Sequence, residues 1–186
     1  KSQEHKYVPV AIDPDHILII GDSSGSTGPA KLIRHTYNTF VKAAQNSHHL
    51  FESGDVFASH NGINHIGFLA VTMVAPLFKG VTIYTINYLH EMIIFTTRGF
   101  LTKVALYESH LMLIKSIPGL GIQNNCLRDC TVISAGGPVS PKFVDEIFNL
   151  GARQFTSFYG CNETLSPFFT LTLNSNNDPF DDGRVG

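Results

Sequence analysis

Thr131-Val132-Ile133-Ser134-Ala135-Gly136-Gly137-Pro138-Val139-Ser140-Pro141 is the stretch that decides the fold. Residues 131–134 read as a β-strand. Ala135-Gly136-Gly137-Pro138 reads as a tight turn. Ser140 then supplies an N-cap oxygen, and Pro141 occupies the first helical position, where a missing N–H costs nothing. The helix should run to about residue 150. Residues 154–158 form the next strand, ending in Tyr159-Gly160. Strand, turn, helix, strand is a crossover unit, and crossovers join parallel strands.

The same alternation extends outward. Residues 16–20 read as a buried, β-branched strand, and residues 36–51 as a helix with Phe40, Val41, Ala44 and Leu50 on one face. Strands are expected at 55–59, 81–85 and 104–107. Helices are expected at 66–77, at 89–100 and from 108 to 117, where Pro118-Gly119 stops the last one. A final strand falls at 168–173. The pattern predicts an α/β fold, largely parallel sheets with crossover helices, in one domain over 1–186. In such sheets the loops at the carboxyl ends of strands build the ligand site.

Composition narrows the function classes. The chain has 186 residues, 43% of them apolar, which is enough for a buried core. A net charge of −2 gives no electrostatic case for nucleic acid or an anionic membrane surface. The three cysteines, Cys126, Cys130 and Cys161, do not form a disulfide framework. The first residues lack the layout of a secretory leader, and no apolar run reads as a transmembrane segment, so an intracellular location, cytoplasmic or peroxisomal, is expected.

Three loops stand out, each after a predicted strand. Ser23-Ser24-Gly25-Ser26-Thr27-Gly28-Pro29-Ala30-Lys31 offers glycines that let backbone fold around an anion, four hydroxyls as neutral donors, and a point charge on Lys31. It also reads as an ordinary polar linker. Gly136-Gly137-Pro138 allows a flat ligand to lie on bare backbone, or is a plain strand-to-helix turn. In Tyr159-Gly160-Cys161-Asn162-Glu163-Thr164, the Tyr ring can cover a purine and the Glu can hold Mg²⁺ through oxygen, or the two are a core ring and a solvated carboxylate.

Taken together in order, the loops resemble the motifs of the adenylate-forming (AMP-binding) family of acyl-CoA synthetases, coumarate–CoA ligases and luciferases. The first resembles S-S-G-[ST]-T-G-x-P-K, the second, preceded by Leu127-Arg128, resembles L-R…S-G-G-A-P-L-S, and the third resembles Y-G-x-T-E-T. His65-Ile66-Gly67-Phe68 is similar to F-H-x-x-G, Gly80-Val81-Thr82 to G-A-x-V, and Asp182-Gly183-Arg184-Val185-Gly186 to G-S-V-G. The similarity spans about 16–186 and implies part of the large N-terminal domain of such an enzyme, without its C-terminal part.

The resemblance implies an acid–thiol ligase that joins a carboxylic acid, aromatic or fatty, to ATP as acyl-AMP before transfer to CoA, as in fatty acid metabolism. Ser23, Ser24, Gly25, Ser26, Thr27, Gly28 and Lys31 would wrap the phosphates. Gly136, Gly137 and Pro138 would border the adenine, with Tyr159 stacked on it and Gly160 in the turn beyond. Asn162 stands where the family has a Thr that bonds the AMP phosphate, Glu163 would hold Mg²⁺, and His65 would lie near the reacting carboxylate. The chain departs from the pattern at Ala30 (family Pro), Leu32 (family Gly) and Asn162, and by one small residue in the second turn. The ribose-binding Asp, the hinge and the C-terminal catalytic Lys that the resemblance implies are not in these residues. Two other readings compete: a nucleotide- or acyl-binding module without catalysis, and a serine hydrolase. For the hydrolase, Gly21-Asp22-Ser23-Ser24-Gly25 fits G-x-S-x-G, with Ser23 as nucleophile and His65 or His110 as base.

Overall fold

The computed structural model describes residues 10–22, 28–60, 65–119, 122 and 125–175. A six-stranded sheet forms the centre: β3 (Val56–Ser59), β4 (Thr82–Thr85), β5 (Lys103–Ala105), β6 (Thr131–Ala135), β7 (Gln154–Tyr159) and β8 (Phe169–Asn174). They lie in the order β4-β3-β5-β6-β7-β8, and only β8 runs antiparallel to its neighbour. The expected α/β architecture with a largely parallel sheet is therefore present.

The stretch 131–141 folds as its residues dictate. Ser140 Oγ accepts a hydrogen bond from the Phe143 amide at 3.2 Å, and Pro141 opens helix α5 (Pro141–Asn149). Phe143, Val144 and Ile147, spaced three to four apart, are buried against the sheet, each side chain stabilising the fold by roughly 1.5–3 kcal/mol. Helices α3 (Leu89–Thr97), α4 (Glu108–Lys115) and α5 cover one face around Met92, Leu111, Ile114, Phe143 and Phe155. Helix α1 (Tyr37–Ser47) and the segment 66–79 cover the other, around Ala44, Phe57, Val71 and Ala75.

Two expectations change. The strand at 16–20 is present as β1 (Ile17–Asp22), but it is not buried in the sheet. It pairs antiparallel with a second strand, β2 (Leu32–Thr36), in a separate hairpin. Only one face of that hairpin is covered. Ile19 packs against Phe40, Ile66 and Leu165, whereas Leu18, Ile20 and Leu32 stand exposed. A β-branched run signals a strand but not which of its faces is covered. The helix expected at 66–77 is α-helical only at α2 (Ile66–Phe68), then a π-turn (Leu69–Val74) and a 3₁₀ turn (Ala75–Lys79). Pro76 has no N–H to donate to the Thr72 carbonyl, and Thr72 Oγ1 donates to the Phe68 carbonyl at 2.8 Å, one turn back.

At the amino edge of the sheet a charged pair is enclosed. Lys103 Nζ lies 2.8 Å from Asp55 Oδ2 and donates to the Leu50 carbonyl at 2.6 Å. Asp55 also accepts from Thr102 Oγ1 and the Glu52 amide. Burial favours the neutral Asp55, but the Lys103, Glu52 and Thr102 hydrogen bonds outweigh it and hold the carboxyl below 3.8.

Candidate functional site

Sequence-distant motifs converge on the end of β1. Asn162 Nδ2 donates to the Asp22 carbonyl at 2.8 Å, joining positions 140 residues apart. The neighbouring Gly21 has no room for a side chain, since a Cβ there would lie 2.8 Å from Ile66 Cγ2. That contact seats α2, and His65 just before it, against the hairpin. The base of the first loop thus meets both the His65 segment and the Asn162 loop. Ser23, Ser24, Gly25, Ser26 and Thr27 lie outside the described residues. Gly28 and Lys31 are exposed at the start of the returning strand.

The Asn162 loop is shaped by its own residues. At Gly160 a Cβ would come within 2.9 Å of the Ser166 carbonyl oxygen, so only glycine lets the chain turn there. Tyr159 is about half exposed, its ring 6.2 Å from that of Phe168 at 32°. Glu163 is exposed. Its carboxyl is held below 4.5 first by its own backbone N–H, then by the Cys161 thiol, and further by the charges of Lys31 and His35. Lys31 and Glu163 are therefore electrostatic neighbours, although 132 positions separate them in sequence. His65 is exposed, with its ring 6.4 Å from Phe68.

The Gly136-Gly137-Pro138 turn stands beside Tyr159 because β6 and β7 are neighbours, with Ala135 paired to Phe158. Gly136 takes a φ of +81°, which favours glycine. On the other side of this turn, toward β5, lies a cavity of about 320 Å³. It is lined by Tyr107, Glu108 and Ser109, by residues 134–139, and by Phe143. Glu108 and Ser109 carry no signal in the sequence beyond a helix start. Nor did the sequence reveal His35, a buried imidazole on β2 whose Nε2 has no hydrogen-bond partner.

Other candidates fare differently. The hydrolase reading needs a helix directly after the strand that leads to Ser23, and among the described residues the next element after β1 is the strand β2. His110 packs against Tyr107 (4.8 Å) and His60 (5.9 Å), and burial first, then His60, pushes its pKa down. Among the described residues no three His, Cys, Asp or Glu side chains cluster as a metal site. No helix among the described residues is long and apolar enough to cross a membrane.

A mostly parallel sheet with the 135–138 and 159–164 turns at its carboxyl edge, and the β1 hairpin tied to the second of them, defines the class. The chain matches the AMP-binding enzyme family over residues 1–186, and it belongs to that family. It is 26% identical over 174 residues to the 2-succinylbenzoate–CoA ligase of Staphylococcus epidermidis strain ATCC 12228, covering 90% of this chain and 35% of that protein. It is also similar in structure to the O-succinylbenzoate coenzyme A synthetase of Bacillus subtilis in complex with ATP and magnesium ion. The TM-score is 0.72 at 19% identity, over 92% of this chain and 36% of that one. Similarity to the N-terminal domain of FACL13 from Mycobacterium tuberculosis gives a TM-score of 0.73 at 16% identity, over 87% and 41% of the two chains. The fold is that of the N-terminal domain of adenylate-forming enzymes. The chain spans about a third of the length of the curated relatives it matches.

Proposed function

We propose that this chain binds Mg-ATP and a carboxylic acid at the carboxyl edge of its sheet, as part of a ligase that makes acyl-AMP and passes the acyl group to CoA. The observation that carries the reading is the Asn162–Asp22 hydrogen bond, which brings the third motif onto the root of the first. Residues 1–186 then act as one partial AMP-binding domain.

In this reading Ser23, Ser24, Gly25, Ser26, Thr27, Gly28 and Lys31 surround the β- and γ-phosphates with N–H and O–H donors and one cation. Gly136, Gly137 and Pro138 offer a flat wall for the adenine, Tyr159 covers its other face, and Gly160 turns the chain away from it. Asn162 has one amide hydrogen on Asp22 and further polar capacity for the α-phosphate. Glu163 fits a hard cation, because its charge is maintained and it faces solvent. Bound Mg²⁺ neutralises phosphate charge as two anions meet. His65 stands at the mouth of the site, where the attacking carboxylate approaches. The donors and Lys31 stabilise the charge that grows on the phosphate oxygens, with no covalent enzyme intermediate.

Ligase relatives and the ATP- and magnesium-bound structural neighbour support this reading. The testing experiment is the melting temperature of the chain with and without Mg-ATP. A ligand that binds only the folded state raises it. No shift in a folded sample would refute the nucleotide site.

A further inference from the structure

We infer that His60 and His110 form a binding site for a divalent transition-metal ion of the zinc class, held through the Nδ1 atoms of both rings. This site is independent of the nucleotide proposal, since it uses none of the three motif loops.

Sheet order brings the two residues together across 50 positions of sequence. His60 directly follows β3, and β3 pairs in parallel with β5, Ser59 opposite Ala105. Helix α4 begins soon after β5, at Glu108, and His110 lies in its first turn. The two rings meet edge to face, with centres 5.9 Å apart at 78°. Both Nδ1 atoms are buried, and neither has a hydrogen-bond partner. Buried polar atoms are nearly always paired, so two orphan nitrogens on adjacent rings call for a shared partner. The Nδ1 atoms of His48 and His49 make the contrast: the Gln45 and Asn46 carbonyls engage them.

The ring spacing suits a metal. An ion about 2.0–2.1 Å from a ring nitrogen lies about 3.2 Å from the ring centre, so two rings on a tetrahedral ion have centres about 5.2 Å apart, and about 6.4 Å is the most any angle allows. The observed 5.9 Å falls between those limits. The donors then select the ion. Imidazole nitrogen suits Zn, Cu and Ni, whereas Mg²⁺ takes oxygen. Burial, and then His60, disfavour a proton on His110, and a ligating nitrogen must be unprotonated. Tyr107 packs against the His110 ring at 4.8 Å and against Phe68 at 6.1 Å, which gives one ligand an aromatic backing. Two protein ligands leave the remaining positions of the ion open to water.

Calorimetric titration of the untagged full chain with Zn²⁺ tests this. Wild type should bind one ion, and about a tenfold excess of Mg²⁺ should not displace it. His60→Gln and His110→Gln, each checked for an unchanged melting temperature, should each weaken Zn²⁺ binding by about tenfold or more, since losing even a supporting contact to a ligand costs that much. The control His48→Gln/His49→Gln should bind as wild type does. Nitrogen NMR of the wild-type imidazoles needs no variant to fold: Zn²⁺ should move the Nδ1 signals of His60 and His110 and leave their Nε2 signals nearly in place. No binding, binding untouched by either substitution, loss confined to the control, or shifts confined to other histidines would overturn the inference.

Discussion

The amino edge of the central sheet and the hairpin beside its carboxyl edge each bring a lysine to bear on a carboxylate, and they treat the pair in opposite ways. At the amino edge Lys103 and Asp55 are both under a tenth exposed, touch at 2.8 Å, and are surrounded by protein partners. At the carboxyl edge Lys31 and Glu163 both stand at the surface and feel each other through space. A buried pair held by Leu50, Thr102 and Glu52 is committed to protein partners, so it serves to fix the strands.

The largest effect expected from this contrast is at Lys103. Lys103→Met strands the Asp55 charge in the interior and should lower unfolding free energy by about 3–5 kcal/mol in urea titration. Adding Asp55→Leu should restore much of it. Lys31→Ala should do the reverse. ATP affinity falls by roughly 1.5–3 kcal/mol in calorimetry, while the ligand-free melting point stays put. A Lys31 variant that melts early would erase the distinction between the edges.

Acid sharpens the comparison further. Asp55 has a folded pKa below its ordinary 3.8. Its contribution is therefore complete above about 3.8 and is lost as pH falls through the lower, folded value. Stability measured against pH should decline there in wild type and decline less in Asp55→Asn. The smallest effect belongs to Asn162→Ala, which removes one hydrogen bond worth about 0.5–1.5 kcal/mol. It should loosen β1, read as faster amide exchange in residues 17–22, with the main sheet unaffected.

Much of the architecture was legible from the residues. The Ser140 cap, Pro141 and the Phe143–Val144–Ile147 spacing specify α5 locally, and the structure has the helix where they place it. The strands at 55–59, 131–134 and 154–158 likewise carry their own pattern. What escaped was partnership. Strand β2 has no clean alternation, and nothing near residue 17 says that its neighbour is a hairpin arm and not the main sheet. The candidate site was legible as three loops and illegible as a place: Glu108 and His35 look like ordinary helix and strand residues.

The sequence alone determined most of the strands and helices, the Ser140 cap and the three unusual loops, because periodicity, turn chemistry and capping act over a few residues. Only the tertiary structure decided that Asn162 reaches Asp22, that Gly21 must yield to Ile66, and that a cavity faces Glu108 across the β6 turn. Contacts spanning up to 140 residues carry no local signature. They form only when packing of the core offsets the entropy of closing so long a loop.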